Sequence, residues 1–292
     1  MDSLRPFVSI IIPCYNAEIF IAATINSVLN QTFQNFEIII VNDGSTDNSE
    51  AIIKKINDSR IIYISKINTG VSDSRNKGFE RSKGNYILFL DADDILAPSF
   101  LESRVSTLEQ NRSVGFCCSY VIKIDEHGNH LPSRRLKGVT TEIMKDVLSY
   151  DSEVITCPSN YLFRRSILDA NSLRFNTELS SSADRYFLIE TAMYSTGELI
   201  NESAYLYYRV HKESMSNKFT SHLLQDNLLF QKKILEMNNI PKDLKKEFCY
   251  KTNYIFAGSY FKLREFMPCL WFTVKAFYFN PPKFVSQLIN RK

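Results

Sequence analysis

Apolar and polar positions alternate in blocks along the first hundred residues. The stretch FVSIIIP, Phe7 to Pro13, is an almost unbroken β-branched run, as in a strand covered on both faces. From Ala17 to Asn30, the spacing of Ile21, Ile25, Val28 and Leu29 predicts a helix. The pattern then repeats: strand Phe36–Asp43 and helix Ser49–Ile56, strand Arg60–Ser65 and helix Ser72–Ser82, and a fourth strand in YILFL from Tyr86. This rhythm predicts a parallel sheet with helices on both faces and ligands beyond the carboxyl ends of its strands. Three polar clusters fall at those ends: Pro13–Asn16, Asn42–Asp47 and Asp91–Asp94. They are expected to line one crevice.

The second half is less regular. Gly115–Leu131 reads as a strand running into a hairpin around His127-Gly128-Asn129-His130, and Pro158–Leu168 as a strand turning into a helix. Ala183–Ser195 is an amphipathic helix, and Ala204–His211 alternates as a strand. After Ser216 the pattern is helical, punctuated by Pro241, Pro268 and Pro281-Pro282.

An apolar content of 44% and a charged content of 23% suit a soluble globular protein. The net charge of +3 is unevenly spread: from Pro241 onward, ten lysines and arginines face three acids, a balance of +7, which leaves −4 for the first 240 residues. Affinity for anionic surfaces therefore belongs to the tail. The six cysteines show no CxxC and read as reduced, mostly buried thiols, and adjacent Cys117 and Cys118 point to opposite faces of a strand. No leader-like start and no run of the roughly 20 apolar residues of a membrane span is seen, so a cytoplasmic protein is expected. No nucleic-acid-binding module is recognisable.

The chemistry concentrates in DADD, where Asp91, Asp93 and Asp94 follow an apolar strand. Crowded carboxylates raise one another's pKa unless a cation sits among them. The chain has no GxxxxGK[ST] and no GxGxxG, so a bound phosphate must be held by metal and side chains. A DxD at a strand end offers hard oxygens to Mg²⁺ or Mn²⁺. The plainer reading, in which Asp93 and Asp94 cap the following helix, explains one aspartate and not the Asp91–Asp93 pair.

The segments VSIIIPCYN, IIIVNDGSTDNS, NTGVSDSRNKGFERSKGNYILFLDADD and ADRYFLIE…YYRVHKESMS, as an ordered set over about Phe7 to Ser216, resemble the family 2 glycosyltransferases, inverting enzymes of the GT-A fold. The resemblance implies a Rossmann-like α/β fold with a mostly parallel central sheet flanked by helices, and a C-terminal helical extension. The expected division is residues 1–215 (a nucleotide-binding half to about 105, then an acceptor half) and a basic, aromatic-rich region from 216 to 292. It implies a UDP-sugar donor whose site includes Pro13, Tyr15, Asn16, Asp43, Gly44, Arg75, Asp91 and Ala92. Tyr15 would stack on the base, although a buried loop tyrosine is the ordinary alternative. Asp43 would accept the uracil N3–H, against the alternative of an Asx-turn in NDGS. Arg75 would reach the base or the diphosphate, and Asp91 would face the ribose.

Asp93 and His211 would hold Mn²⁺ or Mg²⁺, with Asp94 capping or orienting and with Arg209 and Ser214 enclosing the diphosphate. Asp184 corresponds to the general base, although helix capping is its alternative; the glutamate that usually precedes the base is here Ala183. The implied acceptor is a glycan linked to polyprenyl diphosphate, in bacterial polysaccharide or O-antigen synthesis. The aromatic, basic stretch Glu265–Phe284 is read either as an interfacial contact with the inner membrane face or as helices packing on the core. Two rivals remain: a nucleotide-sugar-binding subunit without activity, and an aspartyl-phosphate enzyme, to which Ile95 and the late position of the motif are ill suited.

Overall fold

The computed structural model describes residues 6–132, 136–138, 142–150, 153–200, 205–211 and 221–289. Elements follow in the order β1 (Val8–Cys14), α1 (Ile21–Leu29), β2 (Phe36–Asp43), α2 (Ser49–Lys55), β3 (Ile61–Lys66), α3 (Val71–Arg81), β4 (Tyr86–Phe89), β5 (Ile95–Leu96) and α4 (Phe100–Gln110). The second half adds β6 (Phe116–Ile124), β7 (Leu136–Lys137), α5 (Ile143–Leu148), β8 (Leu162–Arg164), α6 (Arg165–Ala170), α7 (Ala183–Ala192), β9 (Gly197–Ile200) and β10 (Leu206–Arg209). Four helices close the described chain: α8 (Ser221–Glu236), α9 (Lys242–Lys262), α10 (Phe266–Phe279) and α11 (Pro281–Ile289).

The strands form one sheet ordered β3-β2-β1-β4-β8-β6-β10-β5, with β7 and β9 also paired to β6. The first four strands are parallel, as their apolar runs predict. Beyond β4 the sheet is mixed: β8 runs antiparallel to both β4 and β6, and β5 runs antiparallel to β10. The expected mostly parallel sheet is thus made of a parallel half joined to a mixed half. The two- to four-residue strands of the mixed half are too short for periodicity to show their direction.

Alternation within each strand feeds two separate cores. Ile10, Ile12, Ile38, Ile40 and Leu88 pack with Ile21, Ile25 and Val28 of α1 on one face. Ile11, Ile39, Val41, Ile87 and Phe89 face the other core, built with Phe79, Phe163, Phe187, Phe230 and Phe248. Successive side chains of a strand point to opposite faces, so a strand buried on both is apolar except where buried polar groups pair, as Ser9 and Glu37 do. Cys117 and Cys118 divide between the two cores in the same way. The six cysteines are free thiols, all but Cys269 buried. Phe230 of α8 and Phe248 of α9 lie in the second core, so the helices after residue 216 extend the packing of the sheet.

At the amino edge of the sheet, Glu37 ties strands to loop. Its Oε1 accepts the Ser9 hydroxyl at 2.6 Å and the Lys83 N–H at 2.6 Å, and Ser9 Oγ accepts the Gly84 N–H at 2.7 Å. A Cβ on Gly84 would lie 2.5 Å from the Ser9 backbone nitrogen. Backbone cannot yield as a side-chain tip can, so Gly84→Ala is expected to destabilise the protein by about 3 kcal/mol. A urea unfolding midpoint indistinguishable from wild type would contradict this account of the edge.

Candidate active site

The carboxyl ends of β1, β2 and β4 carry the three polar clusters to one side, and their loops are knitted together. Asn16 Oδ1 accepts the Thr46 N–H at 2.8 Å, Ser45 Oγ accepts the Asn16 N–H at 3.1 Å, and Asn42 Oδ1 accepts the Ser45 N–H at 3.0 Å. The side-chain turn in NDGS is thus made by Asn42, which leaves Asp43 other work. Asp43 Oδ1 accepts the Thr69 N–H and Oδ2 the Gly70 N–H, each at 2.9 Å, while Lys66 Nζ pairs with Oδ1. Oδ2 keeps acceptor capacity for one more donor. Gly44 supplies the bend after Asp43 at φ +70°. Tyr15 follows Cys14 at the tip of β1 and is 52% exposed, so the reading of it as a buried loop residue is overturned. The Ala92 carbonyl accepts the Thr24 hydroxyl at 2.8 Å.

The centre of the site is Arg75, only 3% exposed. Its Nη2 donates to Asp91 Oδ1 at 2.7 Å and its Nη1 to Asp184 Oδ1 at 2.6 Å. The guanidinium lies 4.9 Å from the Phe175 ring centroid, and Phe175 stacks on Phe187 of α7 at 4.2 Å. Arg75 is therefore neither a solvated helix residue nor, in this state, free to reach outward. It joins a strand-end carboxylate to a carboxylate of the second half. Removing such a cation leaves buried unpaired charges, a loss of about 3–5 kcal/mol. Asp184 lies in the first turn of α7, but its side chain goes to Arg75, so helix capping is not its role. Burial, opposed by Arg75 and aided by Asp91, pushes its carboxyl up to about 6.

Asp93 and Asp94 point apart. Asp93 Oδ2 lies 2.9 Å from His211 Nε2, and the imidazole packs on Phe20 with centroids 4.7 Å apart. Asp94 is fully buried; its Oδ1 accepts the Arg209 N–H at 3.1 Å. Helix α4 begins only at Phe100, so the expectation that Asp94 caps it is corrected: Asp94 anchors β10 beneath the cluster. Arg209 is also reassigned. Its Nε donates to the Asp93 carbonyl at 2.8 Å and its Nη1 to the carbonyls of Asp125 and Glu126, so these donors brace loops and do not enclose a diphosphate. Ser214 lies outside the described residues. His127 and His130 are exposed in the hairpin, where Asp125 Oδ1 accepts the His127 and Asn129 N–H groups.

Of the four carboxylates (Asp91, Asp93, Asp94 and Asp184), Asp91 and Asp184 thus share the guanidinium of Arg75, whereas the Arg209 guanidinium goes to backbone carbonyls. Burial and mutual repulsion hold the Asp93 carboxyl above its ordinary range and Asp94 well above it. This excess of negative charge, with a hard oxygen from Asp93 beside the His211 nitrogen, suits a divalent cation such as Mg²⁺ or Mn²⁺. Cys157 Sγ and one oxygen each of Asp91 and Asp94 lie within 4.8 Å of one another. Burial pushes that thiol far up, which leaves it a protonated neighbour and a poor ligand for a hard ion.

Two positioning residues carried no sequence signal. Ser159 Oγ accepts the Asp91 N–H at 3.0 Å. Asp226 of α8 accepts the N–H groups of Ser180 and Ser182 at 2.6 and 2.9 Å and the hydroxyls of Ser181 and Ser182, fixing the loop that leads into α7. Burial works against its charge, but these donors outweigh it and lower its pKa. A lone aspartate 42 residues beyond Asp184 shows no periodicity or motif that would reveal the contact.

A sheet covered on both faces, with a carboxylate cluster at its carboxyl edge and an aspartate from the second half beside it, is the architecture of the GT-A fold. The chain belongs to the family described as "Glycosyl transferase family 2", whose model matches residues 9–171. It is 34% identical over 239 residues to an uncharacterized glycosyltransferase of Haemophilus influenzae, covering 79% of this chain and 90% of that one. It is 31% identical over 216 residues to the minor teichoic acid biosynthesis protein GgaB of Bacillus subtilis, covering 71% of this chain but 23% of that longer protein. Its fold matches residues 1–349 of S. aureus TarS, solved in complex with UDP-GlcNAc, with a TM-score of 0.68 at 18% identity over 93% of this chain and 91% of that one.

Asp226→Ala is expected to leave four donors of the Ser180–Ser182 loop short of their acceptor and to lower stability by about 2–4 kcal/mol. Turnover should fall further than stability accounts for, because Asp184 loses its placement. An Asp226→Ala protein with full turnover at a temperature where it is folded would show that the loop needs no such anchor.

Proposed function

We propose that the protein is an inverting, metal-dependent transferase that moves a sugar from a UDP-sugar to a hydroxyl of a glycan acceptor. The observation that supports this best is the guanidinium of Arg75 spanning Asp91 and Asp184, which sets the proposed donor side and the proposed base side of one cleft against each other. Tyr15 gives the base a platform, Asp43 Oδ2 accepts the uracil N3–H, and Asn16 with Gly44 and the carbonyl of Ala92 shapes the floor. Asp91 faces the ribose. Asp93 and His211 would hold Mn²⁺ or Mg²⁺, and a divalent ion bound there would supply positive charge to offset the negative charge that grows on the departing UDP.

Asp184 takes the proton of the acceptor hydroxyl, on the face of the sugar carbon opposite the leaving group. Position 183 presents nothing to this cleft: the Ala183 methyl is fully buried in the second core with Phe187 and Leu188. The missing glutamate therefore removes no carboxylate from the cleft of this chain, which weakens the case for an inactive binding subunit. The relation to GgaB supports an acceptor of the cell-surface glycan kind. We take it to be linked to polyprenyl diphosphate, with the enzyme cytoplasmic and peripheral at the inner face of the membrane.

Release of UDP from a panel of UDP-sugars with Mn²⁺ and acceptor tests the assignment. Asp93→Asn should weaken Mn²⁺-dependent UDP binding by roughly tenfold or more. Asp184→Asn should keep UDP binding and lower transfer by about 10²–10⁴-fold, the range of general-base contributions. Normal transfer by Asp184→Asn would remove it as the base.

The pH dependence follows from the same carboxyl. Asp184 acts ionised, and burial holds its pKa near about 6, so kcat should fall as the pH drops through about 6. Arg75 lowers that pKa, so Arg75→Met should move the acidic limb to higher pH. A limb that stays in place would assign the titration to another group.

A further inference from the structure

Helix α10 has two unlike sides. Phe272 and Ala276 face inward, where Phe272 packs on Phe256 and Tyr260 of α9 with ring centroids 5.2 and 5.4 Å apart. The outward positions 266, 267, 270, 271, 274, 277 and 278 recur at helical spacing, and every one is a large apolar or aromatic residue. Met267 is 78% exposed and Tyr278 77%, values expected of polar side chains. Phe261 of α9, 63% exposed, extends the patch with its ring centroid 6.5 Å from that of Phe266. A groove of about 630 Å³, walled by Leu228, Tyr260, Met267, Trp271 and Phe272, opens beside it. The Lys275 ammonium lies at its edge, 3.4 Å from the Trp271 ring centroid.

Charge decides what covers this face. From Phe266 to Lys292 the chain has four lysines and arginines and no acid. A second copy would bring two strongly basic tails together, whereas an anionic surface complements them. Among the described residues no helix is long and apolar enough to cross a membrane. At about 1.5 Å per residue, the 14 residues of α10 reach about 21 Å, short of the roughly 30 Å hydrocarbon layer. Such a helix lies in the interface plane, with Trp and Tyr at headgroup depth and lysine stems reaching outward.

We propose that the outward face of α10 seats the protein on an anionic phospholipid bilayer. This deepens the proposed function only in supplying the surface on which a lipid-linked acceptor is met. The test uses the full chain without donor, sedimented with phosphatidylcholine vesicles that contain or lack phosphatidylglycerol. Wild type should bind the anionic vesicles, less well as salt rises. Leu270→Glu/Val274→Glu, altering two exposed positions, should weaken that binding roughly tenfold or more while UDP release in detergent-solubilised acceptor is unchanged. The proposal falls if wild type does not bind, or if the double variant binds equally well. It falls too if the patch instead pairs two copies, seen as a dimer in solution that the variant abolishes with no vesicle binding by wild type. Vesicle binding with no turnover of any nucleotide sugar would uphold the surface and remove the transferase reading; turnover without vesicle binding would do the reverse.

Discussion

One guanidinium holds the two halves of this site in register. Arg75 sits 16 residues from Asp91 and 109 from Asp184, and it binds both in a setting that excludes most water. Three buried or half-buried charges in one place are stable only in this order, with the cation between the anions. The helix that carries Arg75 must therefore lie where β4 ends and where α7 begins. The parallel half of the sheet meets the first demand and the Phe175–Phe187 stack the second.

The remaining charge explains why the site is built for ligands. With Asp91 and Asp184 occupied by Arg75, Asp93 is left to His211, and Asp94 is driven into the protein as an anchor for β10. A fold seeking stability alone would place apolar residues here, because buried ion clusters are seldom worth their desolvation. Their presence at the edge where α/β sheets bind ligands is better explained by chemistry than by folding.

Much of this was legible in the sequence, and the boundary is instructive. β1, β2 and β4 are largely apolar runs because both their faces are buried, and a run of that kind ending in DADD marks both a strand and its chemistry. The clusters at Asp43 and Asp91, and the exposed Tyr15, follow from that frame. The strands β5, β7, β8 and β9 are two to four residues long and carry no period to read. The fate of Asp94 was equally hidden: an aspartate before a helix looks like a cap, and only the position of β10 shows its carboxylate turned inward to the Arg209 N–H. Asp226 shows the limit most plainly, since its partners depend on where α8 packs, which no local pattern encodes.

That packing has a consequence for how the site is used. α8 brings Asp226 to the loop that sets α7, and its Phe230 shares a core with Phe187 beneath Asp184. The same α8 contributes Leu224 to the cluster that α10 closes with Phe272. The helix that anchors the loop before Asp184 is thus continuous, through buried side chains, with the helix that presents the exposed apolar face. A surface that fixed α10 would, through α8, also bear on the loop that places Asp184. Rigid packing of this kind transmits position without requiring any conformational change.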